Sequence, residues 1–205
     1  MTHNASPMLS LPNAASHCTG RLTKFFFLNR AQDSGVLAFL AWQAMQADGV
    51  VLRYFHEEFL GSHGEYRGDL ACFVQHYLLS SNRDVLLVLR NAPEGTPEAT
   101  DILGMIDFAL DAPHRQAKIG IWMRRGTTEE AREAGVNATR LAFCILPIDT
   151  IFGMSPHPYI LRFAKRCGWA ELPSIPRYYV RDGQPAPVYI VFQTRETCEE
   201  ELRHG

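Results

Sequence analysis

The sequence has no excess of charge of one sign: 20 Lys and Arg residues stand against 22 Asp and Glu residues. The formal net charge of −2 gives no basic face of the kind that nucleic-acid-binding proteins use. No apolar run approaches the roughly 20 residues that span a bilayer, and the N-terminus lacks the basic and apolar regions of a signal peptide. We therefore expect a cytoplasmic protein that binds neither nucleic acid nor a membrane.

Cysteines are few and scattered, and no two of them form a Cys-x-x-Cys motif. An odd, dispersed set in a chain of this length is typical of reduced thiols rather than of a disulfide framework. The histidines form no His-x-x-x-His motif and no cluster with cysteine, so we expect no metal site. The five cysteines are Cys18, Cys72, Cys144, Cys167 and Cys198.

What the sequence does contain is enough apolar material for a core, since 46% of its 205 residues are hydrophobic and 20% are charged. This is the composition of one globular domain. Residues 1–20 are rich in Asn, Ser, Pro and Ala without periodicity, so they form either a disordered tail or an arm that becomes ordered on a partner. Residues 21–193 form the domain, and residues 194–205 are a polar C-terminal tail in which Glu199–Glu201 is a solvated run.

Hydrophobic periodicity and turn residues predict an alternation of strands and helices. The predicted strands are residues 21–29, 84–90, 101–110, 115–123, 149–152, 178–181 and 188–193. The predicted helices are residues 35–47, 69–78, 127–145 and 157–167, whereas residues 50–60 fit a strand or a helix. The apolar residues of helix 35–47 nearly encircle it, which indicates burial on more than one side. Together these elements predict an α+β domain with a central, mostly antiparallel sheet flanked by helices.

The clearest residue pattern in the sequence predicts a strand, a sharp turn and a helix. Lys118–Met123 has the pattern of a strand, which Arg124-Arg125-Gly126 ends. Thr127, with Glu130 three residues later, predicts a capping box, in which each side chain accepts a hydrogen bond from a backbone N–H. Gly135 inside the helix indicates a kink or close packing. Backbone N–H groups at such a helix start can face a phosphate.

The residues that begin and end the later predicted helix are equally clear from the sequence. Ser155 or His157 is predicted to cap it, and the prolines at 156 and 158 suit its first turn. Its apolar face comprises Ile160, Phe163, Ala164 and Cys167. Gly168 then supplies the left-handed position that ends many helices.

These two motifs resemble the GNAT superfamily of N-acetyltransferases. Ile119-Gly120-Ile121-Trp122-Met123-Arg124-Arg125-Gly126 is similar to the family's fourth strand and pyrophosphate loop. Ile160-Leu161-Arg162-Phe163-Ala164-Lys165-Arg166-Cys167-Gly168-Trp169 is similar to its later helix, which usually ends Lys-x-Gly-Phe. The resemblance covers about residues 21–193 and implies a GNAT-like fold. It also implies acetyl-CoA bound where the fourth and fifth strands separate.

By this resemblance, backbone and side-chain groups near the strand–turn–helix hold the acetyl-CoA. The implied residues are Ile121, Met123, Arg124, Arg125, Gly126, Thr127, Thr128 and Phe163. The loop departs from the family pattern Gln/Arg-x-x-Gly-x-Gly/Ala, since Thr128 and Glu130 replace its two small residues. Glu129 and Glu130 also add negative charge beside a pyrophosphate. The resemblance therefore implies a degenerate pyrophosphate loop.

The catalytic residues are the second departure, because Ala164 stands where many members of the family have a Tyr that protonates the departing thiolate. Tyr159 is the nearby candidate for that general acid. Asp107 is the candidate general base for the amine, although a solvated carboxylate on the outer face of a strand is the plainer interpretation. His56, Glu57 and Glu58 are alternative bases.

Two functions remain open from the sequence. One is an acyl-CoA-dependent N-acyltransferase acting on an amine of unknown identity by direct transfer. The other is a non-catalytic GNAT-fold binding or structural protein, such as a phage head or tail component located in the virion, which contacts other subunits through its N-terminal arm.

Overall fold

A computed structural model of the chain describes residues 20–28, 34–46, 70–75, 79, 82–91, 100–124, 126–181 and 184–204. Several sequence predictions lie outside these residues. They are the arm apart from Gly20, the whole of segment 50–60 with His56, Glu57 and Glu58, the loop residue Arg125, and the turn Asp182-Gly183.

Seven strands and five helices are found in the described part of the chain. The strands are β1 (Thr23–Phe27), β2 (Arg83–Arg90), β3 (Ile102–Asp111), β4 (Gln116–Met123), β5 (Thr150–Ser155), β6 (Ala170–Arg181) and β7 (Gln184–Thr194). The helices are α1 (Ser34–Gln46), α2 (Leu70–Phe73), α3 (Thr128–Ile145), α4 (Tyr159–Arg166) and α5 (Arg195–His204).

All seven strands form one sheet in the order β1-β2-β3-β4-β5-β7-β6. Every neighbouring pair is antiparallel except β4 and β5, which are parallel. A parallel pair needs a crossover connection, and α3 provides it. The predicted α+β class with a mostly antiparallel sheet flanked by helices is confirmed.

Each face of the sheet carries its own core. Alternate residues of β2 point to opposite faces, so Val85 and Leu87 pack with α1 and α2, whereas Leu86 and Val88 pack with α3. This explains why β2 is apolar at nearly every position.

The sequence predicts that α1 is buried on more than one side. This prediction is wrong, since Val36 and Phe39 are exposed.

The C-terminal region differs from the sequence predictions in two places. Strand β6 begins at Ala170 rather than at residue 178, because its prolines and exposed positions hide the strand pattern. Residues 195–204 form α5 rather than a tail, and Cys198 is buried against α3's core. Thr194 and Thr197 start this helix by exchanging hydrogen bonds, since each hydroxyl accepts from the other residue's N–H at 3.2 Å.

Arg195 joins α5 to the end of α3. Its guanidinium donates to the carbonyl oxygens of Phe143, Leu146 (3.3 Å) and Ile148 (2.7 Å). A cation at a helix C-terminus satisfies orphan carbonyls and interacts well with the helix dipole.

We expect Arg195→Ala to lower the free energy of unfolding by about 2 kcal/mol, measured as a lower urea midpoint. Glu199→Ala on the exposed face of α5 is the control, and equal losses in both variants would contradict this role.

Candidate functional site

Strands β4 and β5 begin as a pair and then separate. They pair only where Gln116–Lys118 lies beside Thr150–Phe152. Beyond this point β4 stays paired with β3 as far as Met123, and β5 stays paired with β7 as far as Ser155. The sheet therefore has a wedge-shaped opening between two strands that are each held firmly from the other side.

The backbone of β4 presents hydrogen-bonding groups to this opening. Arg124 N–H donates to the carbonyl of Leu103 on β3 at 2.7 Å. Hydrogen-bonding direction alternates along a strand, so residues 122 and 120 also bond to β3, and the main-chain groups of Ile121 and Met123 point towards the opening. No residue of β5 is paired with either of them in the ladder.

The narrow end of the opening is tightly packed at Gly153, the first β5 residue beyond the paired segment. A Cβ built on Gly153 would lie 3.2 Å from Val191, 3.4 Å from Ile119 and 3.5 Å from Ile160. Ile119 belongs to β4 and Ile160 to the first turn of α4, so both flanking elements meet here. The start of α4 is therefore held against the point where the strands part.

The turn between β4 and α3 leaves the helix start without a side-chain cap. Gly126 adopts a left-handed φ of 82°, and the Thr127 hydroxyl donates to the carbonyl of Arg124 at 2.6 Å. Thr127 is the N-cap, but it makes no side-chain capping bond. The predicted Thr127–Glu130 capping box is therefore wrong, because the hydroxyl is used to close the turn. The N–H groups of Thr128 and the next two residues face outwards from the first turn.

Charge near this turn is partly compensated. Arg166, at the end of α4, donates to the Glu129 carboxylate at 2.9 Å. Arg132, one turn further into α3, donates to the carbonyl of Arg166 at 3.1 Å. The Arg124 guanidinium instead reaches the start of β3, where the carbonyls of Thr100 and Ile102 accept at 3.3 and 3.4 Å.

Phe163 lies where α3 and α4 touch. A Cβ on Gly135 would be 2.9 Å from Phe163 Cζ and 3.1 Å from Cys167 Sγ. Close packing at Gly135, one of the two alternatives that the sequence predicts, is thus confirmed. The contact fixes α4 beside the first turns of α3.

Asp107 is buried rather than solvated, so the plainer interpretation from the sequence is wrong. Its side chain lies on the α1 face of β3, is 6% exposed, and forms an ion pair with Arg83 of β2. Gly120 is its cross-strand neighbour on β4, and a Cβ there would collide with Asp107 Oδ1. The register brings the carboxylate beside Ile121, next to the opening.

The start of α4 also differs from prediction. Neither Ser155 nor His157 caps it: Pro158 is the N-cap, and Ser155 Oγ accepts from His157 N–H at 3.1 Å. Tyr159 is 42% exposed and stacks on His157 with the ring centroids 5.6 Å apart. Ala164, at the family's Tyr position, is buried.

The end of α4 is as predicted, since Gly168 supplies the left-handed position with a φ of 77°.

Within the described residues, no group of His, Cys, Asp or Glu side chains is placed to hold a metal ion. In the same part of the chain, no helix is long and apolar enough to cross a membrane.

Sequence reasoning missed Arg83 and Arg166, because only strand register and helix packing show what they contact. Gly120 gave a usable signal, since a glycine inside a strand often marks a close approach.

Several solved structures of acetyltransferases share this architecture. A probable GNAT-family acetyltransferase from Chromobacterium violaceum has a TM-score of 0.66 at 14% identity, covering 92% of this chain and 95% of that one. A GCN5-related N-acetyltransferase from Brucella melitensis has a TM-score of 0.65 at 14% identity, covering 91% and 83%. Spermidine N-acetyltransferase from Vibrio cholerae, solved with CoA and spermine, has a TM-score of 0.59 at 16% identity, covering 86% and 98%.

No family model and no curated protein sequence matches this chain. Identities this low establish likeness of fold alone, and the separated β4 and β5, the turn at Gly126 and the α4 ending at Gly168 agree with that likeness. This chain therefore has the GNAT fold.

Proposed function

We propose that this chain is an acyl-CoA-dependent N-acyltransferase. The observation that carries the proposal is the opening between β4 and β5, into which the main-chain groups of Ile121 and Met123 point. Fixed N–H donors aimed at a developing negative charge are among the largest contributions to acyl-transfer catalysis. The opening widens towards the end of β4 that leads into α3. One extended ligand could therefore contact both the main-chain groups of β4 and the first turn of α3.

The residues present fit an acyl-CoA. Main-chain groups of Ile121 and Met123 suit an acyl-pantetheine arm, and the uncapped first turn of α3 at Thr128 suits a pyrophosphate. Phe163 contacts Gly135, about two turns further along α3 than Thr128. Glu129 and Glu130 add negative charge that is unfavourable for a pyrophosphate, but Arg166 offsets the charge of Glu129. Acyl-CoA, when bound, supplies the thioester carbonyl carbon that an amine attacks.

Asp107 is the proposed general base. It is held beside Ile121 by Arg83 and by the space at Gly120, so it could take a proton from the amine directly or through one water. Tyr159 is the proposed general acid for the departing thiolate, because it lies in the first turn of α4 beside Ile160, which packs at the narrow end of the opening. The N–H of Ile121 would stabilise negative charge on the carbonyl oxygen.

Isothermal titration of the purified protein with acetyl-CoA and with CoA tests this proposal first. We expect saturable binding of both, followed by acetyl transfer to at least one member of a panel of primary amines that includes polyamines and peptide N-termini. Absence of heat and of any thermal shift at millimolar ligand would refute the acyltransferase proposal.

The turn at Gly126 gives a matched pair of variants. Gly126 has a left-handed φ and open space around an added Cβ, and Asn and Asp tolerate such backbone better than other side chains. Gly126→Asp adds a negative charge beside the proposed pyrophosphate site, whereas Gly126→Asn has the same shape without it. We expect the Asp variant to bind CoA at least about tenfold more weakly than the Asn variant, a difference of about 1.4 kcal/mol. Equal affinities would place the pyrophosphate elsewhere.

A non-catalytic binding or structural role, such as a virion subunit, is the alternative. It is favoured by the buried Ala164 at the position of the family's acid and by the engagement of Asp107 with Arg83. CoA binding without transfer to any amine would support this alternative.

A further inference from the structure

One polar atom on the α1 face of the sheet is buried without a hydrogen-bond partner. It is the indole Nε1 of Trp122 on β4, and the residue that carries it is only 8% exposed. None of the residues that the structure describes accepts a hydrogen bond from this N–H, and the core that Trp122 belongs to consists of hydrophobic side chains. A buried donor that has lost water and gained no acceptor is costly. Such a donor is a candidate contact for a bound molecule that carries an acceptor.

Trp122 is the neighbour of the Asp107 site on this face of the sheet. Asp107 pairs with Gly120 and Met105 pairs with Trp122, so these are successive cross-strand pairs whose side chains point to the same face. Gly120 has no side chain, and the Asp107 carboxylate lies over it. The carboxylate and the indole therefore follow one another along β4, at positions about 6.8 Å apart on the strand.

The carboxylate and the indole bind opposite kinds of groups. A carboxylate accepts hydrogen bonds from an amine, whereas an indole N–H can only donate. A protonated polyamine offers donors alone, so it would pair with Asp107 and leave the Trp122 N–H unsatisfied. An amine with a carbonyl oxygen on the adjacent carbon offers a donor and an acceptor together. With a hydrogen bond of about 2.9 Å at each end, it suits two groups that are two strand residues apart.

We propose that the acceptor substrate is an amine with a carbonyl oxygen on the adjacent carbon, as in a peptide N-terminus. Its amine binds the Asp107 carboxylate, and its carbonyl oxygen accepts a hydrogen bond from Trp122 Nε1. This inference rests on the proposed function, in which Asp107 receives the amine, and it adds the class of amine. Polyamines are poor substrates on this basis, because they leave a buried donor unpaired.

The indole N–H of Trp122 reports this contact directly in a proton–nitrogen correlation spectrum of the full chain. The chain has three tryptophans, so Trp→Phe variants assign each indole signal. Alaninamide and isopropylamine are the probes, because both carry an amine on a branched carbon and only alaninamide has a carbonyl oxygen. In the presence of CoA, we expect alaninamide to move the Trp122 proton signal downfield and isopropylamine to leave it in place. A signal that alaninamide does not move, equal movement with both amines, or a shift that CoA alone produces would each overturn the proposal.

Trp122→Phe tests the same contact by kinetics, since it removes the N–H and keeps an aromatic ring. We expect kcat/KM to fall at least about tenfold for alaninamide and to change by less than about threefold for isopropylamine. Comparing the two amines cancels any loss of packing, which lowers both values together. Thermal unfolding of the variant checks that the fold is kept.

Trp169→Phe is the matched control. The indole Nε1 of Trp169 is also buried and has no partner among the described residues, but its ring packs against the core on the α3 face. This variant should change kcat/KM by the same factor for both amines. A selective loss with alaninamide in Trp169→Phe and not in Trp122→Phe would overturn the assignment to Trp122.

Failure of this inference differs from failure of the proposed function. If neither amine is acetylated, the acyltransferase proposal is refuted for this class of acceptor, while the indole signal still shows whether Trp122 binds a carbonyl oxygen. If both amines are acetylated and Trp122→Phe lowers the two values of kcat/KM equally, the acyltransferase proposal stands and the role of Trp122 is refuted.

Discussion

Replacing Arg83 with Met is expected to lower the free energy of unfolding by about 3–5 kcal/mol, the usual cost of leaving a buried charge without its partner. The carboxylate of Asp107 is 6% exposed, and Arg83 supplies its ion pair from the neighbouring strand. The carboxylate lies over Gly120 of β4, in the space that a Cβ there would occupy. Chemical denaturation at neutral pH measures the loss as a lower midpoint with an unchanged slope.

Arg90→Met is the matched control for this variant. Arg90 is at the exposed end of the same strand, so the same substitution there should change stability by no more than about 0.5 kcal/mol. The double variant Arg83→Met with Asp107→Asn removes both charges and should recover part of the loss. If the double variant is less stable than Arg83→Met alone, Asp107 does not depend on Arg83 for compensation.

The sequence was sufficient for most of the framework because its periodicities are strong. Strand β2, with apolar residues at nearly every position from Val85 to Leu89, could be recognised as buried on both faces. The break at Gly126 placed the start of α3 to within a residue. The details of that start were not predictable, because the Thr127 hydroxyl can either cap the helix or close the turn, and the pattern of residues is the same in both cases.

Asp107 shows why the site was harder to predict than the fold. Alternation along β3 indicates which residues share a face, but not which face is covered or what lies on the neighbouring strands. Only the register places Gly120 beside Asp107, and only the packing of β2 brings Arg83 within reach. A polar residue on a strand therefore has two opposite interpretations until its neighbours are known.

Strand β6 and helix α5 were missed for different reasons. The prolines of β6 argue against a strand wherever both edges are paired, but they are compatible with its edge position. Helix α5 is polar over most of its length, and its burial rests on Cys198 and on the contacts of Arg195 with the end of α3. Tertiary contacts, rather than local propensity, define both elements.

Asp107→Asn is expected to lower kcat for amine acetylation by about 10²–10⁴-fold, which is the usual contribution of a general base and corresponds to about 3–5 kcal/mol of transition-state stabilisation. Asn has nearly the same shape as Asp and can still accept a hydrogen bond from Arg83, so the surroundings of Gly120 should be preserved. The affinity for CoA should stay within about twofold of the wild type, because the main-chain groups of Ile121 and Met123 are unchanged. If Asp107 only supported the structure of the site, its substitution would weaken CoA binding and lower kcat together.

The pH dependence separates a base from a positioning residue. In the wild type, kcat/KM should rise with pH through the ionisation of the base, and Asp107→Asn should lose that limb of the profile. Asp111→Asn, at the far end of β3 in the exposed hairpin, removes a carboxylate without touching the opening and should keep both the rate and the profile. If Asp107→Asn turns over at the wild-type rate with an unchanged profile, then the Arg83–Asp107 pair supports the sheet beneath the opening, and the amine loses its proton to another group.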